Sequence, residues 1–492
     1  MTSSATHKNW TLLAVSLGTF MLLVDITIVV VALPSIRGDL HTTLSDVQWT
    51  VDAYSLSLAA LLLPTGSLAD IVGRRTVFAG GLAIFTVGSL LCGLASSGLM
   101  LILFRVLQGA GGAAVFSTSL ALLAQTFHGR ERGVAFGVWG AVAAIATALG
   151  PLLGGLLTTG LSWHWIFYVN LPVGALAILI TLTRVQEFRP PHARRIDFVG
   201  FALFTIGLTA LVYGLIESSR RGWGSGLVIG ALVVAAVMLV AFPLAERLVR
   251  EPMFDLSLFR KPTFVGGSIA AFGMNGSLYA MLLYLVVYLQ GALHFSALGC
   301  GWRLALITGG SLLTAIPAGR LSARMPVRWL IGPGLLLVGI GLLLMRGLTA
   351  DSSWTHLIPG FIVAGLGSGM VNPPLASTAV GVVEPRNAGM ASGINTTFRQ
   401  VGIATSIAAL GTIFASELRG ANAFTIASRY ATATNELLLI AAMIAVVAAI
   451  AAVILIRPQD FIQHAPMPAG AIASERPSAS ASESVTISAT SS

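Results

Sequence analysis

Apolar residues run through this chain in blocks about twenty residues long, separated by short polar stretches that hold most of the charge. Continuous blocks of that length suit helices crossing a ~30 Å hydrocarbon core at about 1.5 Å per residue. Fourteen occur: about 10–34, 47–69, 76–96, 99–124, 134–158, 163–184, 197–216 and 224–245, then 264–290, 301–321, 329–348, 355–382, 389–415 and 434–456. A membrane β-barrel would instead show alternating runs of about half that length. The pattern predicts an all-α membrane protein with fourteen spans.

Composition narrows the classes. Of 492 residues, 55% are hydrophobic and only 10% charged, against about 25% charged in a soluble domain. That excludes a soluble enzyme, a nucleic-acid-binding domain and a disordered protein, and makes the lipid bilayer the solvent. The formal net charge of +9 is spread along the chain and does not form the basic patch that nucleic acid requires. With both termini cytoplasmic, nineteen Lys and Arg fall in inner loops and six in outer ones, the bias of the positive-inside rule. Eight of the nine tryptophans lie at span ends, where an amphipathic ring favours the headgroup zone; Trp139 alone lies inside a span. His7 and Lys8 precede the first apolar run, but no small-residue cleavage site follows, so this run reads as a retained span. Cys92 and Cys300 are isolated, and no metal or redox spacing occurs.

The chain also repeats itself. Gly66, Leu68, Arg75, Gly81 and Leu82 recur 253 residues on as Gly319, Leu321, Arg328, Gly334 and Leu335. Gly109, Gly111, Gly133 and Gly137 recur 256 residues on as Gly365, Gly367, Gly389 and Gly393. Chance is cheap among 54 glycines, yet the order of spans and loops matches too. Spans one to six then correspond to spans nine to fourteen, with seven and eight inserted. Two like halves flanking a midplane cavity form the architecture of a rocking secondary transporter. The expected organisation is a cytoplasmic N-terminus (1–9), a six-helix bundle (10–190), two linker helices with a cytoplasmic loop (191–262), a second six-helix bundle (263–457) and a disordered Ser/Ala/Pro-rich cytoplasmic tail (458–492).

Charges inside the spans are few. Asp25 in span one and Arg105 in span four fall at similar depths, roughly 8–9 Å from the outer edge of the core. An intramembrane carboxylate is a functional site by default; here a fixed structural ion pair and a pair that opens to bind a proton both fit. Asp52 lies about three residues inside span two, where a solvated first-turn acid and a coupling or cation-recognition group are both open. Arg399 lies near the bilayer centre in span thirteen, with Asn395 and Gln400 beside it and no acid deep inside the spans of that half; it fits a structural pin or a gating residue.

Two further stretches stand out. The loop Gly66-x-Leu68-Ala69-Asp70-x-x-Gly73-Arg74-Arg75 sets an acid at a helix end, a glycine at the turn and two arginines within reach. Such a cluster can latch helices in one state, although positive-inside anchoring also explains its arginines. Span five carries Gly150-Pro151 and Gly154-Gly155; small residues permit close helix approach and proline bends the helix, so a hinge or seal and ordinary packing both fit. Gly109-Ala110-Gly111-Gly112 lies inside a span with no Lys-Ser/Thr after it, so no nucleotide site is indicated.

Together these motifs resemble the major facilitator superfamily, and within it the fourteen-span drug:proton antiporter branch. The loop from Gly66 to Arg75 is similar to the superfamily's cytoplasmic signature. Arg105, Gln108 and Gly109 resemble its span-four motif, associated with proton transfer, and Gly150-Pro151-x-x-Gly154-Gly155 its antiporter motif. Asp25 through Pro34, Trp163 through Pro172 with Asn170, and Asn395 with Arg399-Gln400 also resemble that branch. Val30 stands where the branch usually has Asn, which leaves open what polar groups surround Asp25; Ala146 replaces a glycine. The resemblance implies export of amphipathic small molecules or antibiotics in exchange for protons across the inner or plasma membrane. The proton would be the coupling ion, with Asp25, Arg105 and Asp52 as coupling residues. A monomer with no cofactor, nucleotide or nucleic acid is expected. A dedicated exporter of one endogenous product is the alternative. Phe20, Tyr54, Phe116, Tyr279 and Tyr284 are candidate walls of the substrate cavity.

Overall fold

The structure is a computed structural model that describes residues 2–127, 129–187, 197–249, 252, 254–322, 324–383, 388–420, 422 and 425–461. Among these residues there are fourteen apolar helices and no strand; thirteen are long enough to cross a membrane by length and composition, and Arg328–Leu344, at 17 residues, is shorter. They are α1 (Thr2–Asp39), α2 (Leu44–Val72), α3 (Arg74–Gly93), α4 (Gly98–Thr126), α5 (Gly129–Gly160), α6 (Trp165–Arg184) and α7 (Phe198–Arg221). They continue as α8 (Gly226–Glu246), α9 (Pro262–Gly291), α10 (Ala297–Leu321), α11 (Arg328–Leu344), α12 (Ile358–Gly381), α13 (Ala388–Glu417) and α14 (Ile426–Leu455). The Ser/Ala/Pro-rich tail beyond Phe461 and Ala323, the counterpart of Asp70, lie outside the described residues, as do several arginines of the loop census.

Helix starts are written in local chemistry. Thr43 and Asp46 form a reciprocal capping box that opens α2. Ser97 and Ser296 cap α4 and α10, and Asp197 caps α7 by accepting the Gly200 amide at 2.8 Å. Several helices outrun the apolar blocks because these caps, not hydropathy, decide where the backbone turn begins.

The repeat survives in three dimensions. Within the first half α2 and α3 pack on α4, α1 on α5 and α6, and α3 on α6. Within the second half α10 and α11 pack on α12, α9 on α13 and α14, and α11 on α14. Each pair is the other shifted by eight helices. The two halves meet through α2 against α13 and, symmetrically, α10 against α5.

Repeated glycines occupy repeated contacts. A Cβ at Gly81 would sit 3.0 Å from the Gly111 carbonyl, and one at Gly334 would sit 3.0 Å from the Gly367 carbonyl. Gly109 lies against the Tyr54 carbonyl just as Gly365 lies against that of Ile307, and Tyr54 and Ile307 are 253 residues apart. Small residues at these positions let backbones approach where lipid supplies no hydrophobic drive between helices. The insert is not symmetric: α7 braces both α2 and α13, while α8 packs on α7 and turns most of its surface outward.

Candidate functional site

The capping box at Thr43 and Asp46 starts α2 well before the apolar block, and the Ser97 cap fixes the first turn of α4. Those starts set the depth of the polar side chains along both helices. Seven residues into α4, Arg105 turns inward and meets Asp25 of α1, its Nη1 donating to Oδ2 at 2.6 Å. Asp25 is fully buried and Arg105 is 1% exposed.

The pair is the centre of a network that uses five helices. Gln108 donates from Nε2 to Asp25 Oδ1 at 2.8 Å, and its Oε1 accepts from Arg105 Nη1 at 2.7 Å. Asn170 of α6 donates to the same carboxylate oxygen at 3.2 Å and to Ser89 Oγ of α3 at 2.9 Å. Arg105 Nε donates to the Thr50 carbonyl of α2 at 3.1 Å, and its guanidinium lies 4.2 Å from the Tyr54 ring centroid. Buried ions persist only where partners replace water, and here both carboxylate oxygens have them. The polar contacts left open by Val30 are supplied by Gln108 and Asn170, while Val30 itself faces a cavity.

That cavity lies between the halves. Ile26, Val30, Tyr54, Tyr279, Ile403 and Ile407 are among its walls, and Arg105 and Pro151 reach it as well. The space between atoms totals about 580 Å³, its open mouth included. Of the aromatic candidates, Tyr54 and Tyr279 line it. Tyr284 does not: it is buried in the interface, where Gln48 Nε2 donates to its hydroxyl at 3.0 Å and the hydroxyl donates to the Ile407 carbonyl. Phe20 and Phe116 pack against the two apolar cores instead.

The Gly150 to Gly155 stretch joins the ion pair's helix to the opposite half. Gly150 and Gly154 lie against Thr27 and Ile28 of α1, and Gly155 lies against Ala297 and Leu298 of α10. The Leu298 amide donates to Thr159 Oγ1 at 3.0 Å, and Gln290 Nε2 donates to the Val31 carbonyl at 2.8 Å. The halves therefore touch on the face away from the termini, and they touch toward the termini as well, where Gly393 of α13 lies against Leu63 of α2.

Asp52 is where the structure departs from a solvated first-turn acid. That acid is Asp46; Asp52 lies eight residues into α2, about 12 Å along the axis, and is fully buried, with no hydrogen-bond partner on either carboxylate oxygen among the described residues. In the second half Arg399 Nε donates to Asn395 Oδ1 at 3.3 Å and Nη1 to Asn372 Oδ1 at 3.1 Å. Gln400, one residue on and about 100° around the helix, does not join them, and its Oε1 has no partner.

The loop between α2 and α3 ties helices within the first half. Arg74 bridges Asp70 at 3.1 Å and donates to Gln125 Oε1 of α4 at 3.2 Å, while Gly66 lies in ordinary contact with Ser117. Gly73 turns at φ 124°, a conformation that favours glycine. It makes room for Glu187, which accepts from the Arg75 and Thr76 amides at 2.9 and 3.0 Å and so caps α3. The Arg75 guanidinium donates to the Leu182 carbonyl.

Sequence reasoning passed over Ser89, Thr50 and Glu187, and named Gln108 and Asn170 only through resemblance. Ser89 and Gln108 carried one usable signal: a polar side chain in a span needs a partner at its own depth.

The family model described as Major Facilitator Superfamily matches residues 15–280 and 263–482. The chain belongs to the major facilitator superfamily. It is thus a multi-pass membrane transporter and not an enzyme. Among its relatives in the superfamily is the multidrug resistance protein Stp of Mycobacterium tuberculosis, 37% identical over 409 residues, covering 83% of this chain and 76% of Stp. The puromycin resistance protein pur8 of Streptomyces alboniger is 38% identical over 417 residues, covering 83% and 82%. A solved structure of a bacterial homolog to the human lysosomal transporter Spinster, inward-facing and unoccupied, superposes with a TM-score of 0.62 at 19% identity over 93% of this chain and 99% of that one.

Proposed function

We propose that the protein is a proton-coupled efflux transporter that exports amphipathic small molecules by alternating access. The observation that carries this reading is the buried Asp25–Arg105 pair, whose arginine reaches the cavity between the halves. Relatives whose names state multidrug or antibiotic resistance support efflux. With the termini in the cytoplasm of an inner or plasma membrane, export carries cargo from the inner side to the outer one.

The chemistry rests on the partners. Arg105 is the counter-ion of the Asp25 carboxylate. A rocking motion or a bound molecule that draws Arg105 away from α1, with the Thr50 carbonyl and the Tyr54 ring still holding it, leaves the carboxylate with two carboxamide donors and no counter-ion, and it then takes a proton. Because α5 seats on α1 beside Asp25 and on α10 of the other half, a change at the pair is transmitted to that half. Asp52 serves as a second proton acceptor, since an unpartnered buried carboxylate must acquire a proton or a cation.

A dedicated exporter of one product is the second reading, supported by relatives named for single compounds such as tetracenomycin C and cephamycin. Purified protein in liposomes under an imposed pH gradient, tested on a panel of unrelated drugs, separates the two. Gradient-driven movement of several compounds supports multidrug efflux, and movement of one supports the dedicated exporter. Full gradient-driven transport by Asp25→Asn would sink the coupling mechanism.

A further inference from the structure

The first half neutralises its buried cation; the second does not. Arg399 lies eleven residues into α13, about 16 Å from the helix start, and its two hydrogen-bond acceptors are the neutral carboxamides of Asn395 and Asn372. Among the described residues no carboxylate pairs with it. Ile403 and Ile407, one and two turns along the same helical face, line the cavity between the halves. Tyr279, which also lines the cavity, accepts a long bond from Asn372 Nδ2 at 3.5 Å. It sits at the end of a π-helical stretch of α9, Asn275–Tyr279, a feature frequent at functional sites. Arg399 is partly exposed within the membrane-spanning bundle and is linked through Asn372 to Tyr279 at the cavity wall.

The two acceptors take one guanidinium N–H each, and a planar fork with further N–H groups matches the two oxygens of an acidic group. We infer that Arg399, held by Asn372 and Asn395 and flanked by Tyr279, is a recognition site for an anionic group, a carboxylate or sulfonate, on the transported molecule. This rests on the reading of the cavity as the cargo's path, but not on proton coupling.

The test is equilibrium binding to full-length protein in nanodiscs without a pH gradient, with empty nanodiscs subtracted. Two matched probes are used: 8-anilinonaphthalene-1-sulfonate and its uncharged parent N-phenyl-1-naphthylamine. The wild type is expected to favour the sulfonate by roughly ten-fold. Arg399→Gln should erase that preference while changing affinity for the neutral probe less than about two-fold, and Arg399→Lys should keep part of it. Asn372→Asp guards against a folding artefact, because it preserves the hydrogen bond to Arg399 while supplying a counter-charge; it should also erase the preference. No preference in the wild type, an equal loss of both probes in Arg399→Gln, or a preference surviving Asn372→Asp would each overturn the assignment. Because binding is read at equilibrium with no pH gradient, a failure of proton coupling leaves this result unchanged, and coupling and anion recognition fail separately.

Discussion

The two halves share one scaffold and differ in what they bury at the same places. Shifted by the repeat, Asp25 corresponds to Leu278 and Arg105 to Phe361, both of which are fully packed core residues. The first half thus builds an ion pair where the second builds hydrophobic contact. The second half carries its central arginine on α13, linked through Asn372 to Tyr279 at the cavity wall. Close helix approach through repeated glycines is the shared requirement; charge was placed independently in each half. Duplication fixes geometry cheaply because packing depends on backbone distance, whereas chemistry depends on a few side chains that can change without disturbing it.

That contrast can be broken at its strongest point first. Arg105→Ala leaves Asp25 buried without a counter-ion, and removing one partner of a buried pair costs about 3–5 kcal/mol. The Phe361→Leu change at the matching place should cost about 1 kcal/mol, as a modest core truncation. Thermal melts of both variants in detergent check this, and equal losses would dissolve the distinction between the halves. Asp25→Asn keeps shape and most hydrogen bonds, so folding should hold while gradient-driven transport falls by about two orders of magnitude, in the range expected for loss of an essential proton group. A flux assay at fixed gradient reads it directly.

The shared scaffold is tested by matched overpacking. Gly111→Val and Gly367→Val should each destabilise by about 1–3 kcal/mol, and a loss confined to one of them would contradict equivalent packing. Smallest is Glu187→Gln, which weakens the cap on α3 and should lower stability by about 0.5–1 kcal/mol. This change probes the first half alone, since the counterpart loop of the second lies partly outside the described residues. A loss above about 2 kcal/mol, the most a helix-end charge supplies, would mean that Glu187 does more than cap.

Much of the fold is legible in the chain. Block length and continuity specify helices and their number because a bilayer accepts few solutions. The glycine repeats identify the halves, and their contacts pair as the sequence offset requires. Asp25 and Arg105 are recognisable as a pair because each breaks an apolar run at the same depth. Asp52 is misplaced by hydropathy, which marks where the hydrocarbon begins and not where a capping box starts the helix. Tyr284, Phe20 and Phe116 could not be assigned to a wall or a core from spacing alone, since an aromatic suits either.

By itself, then, the sequence determined the solvent, the helix count, the duplication and which charges are costly enough to matter. Each of these depends on local composition or on depth along one helix. Only the tertiary structure decided that Gln108, Asn170 and Ser89 surround Asp25 and that, among the described residues, Asp52 has no hydrogen-bond partner and Arg399 bonds only carboxamides. Those are relations between helices far apart in the chain, and depth along a helix says nothing about the direction in which a side chain points around it.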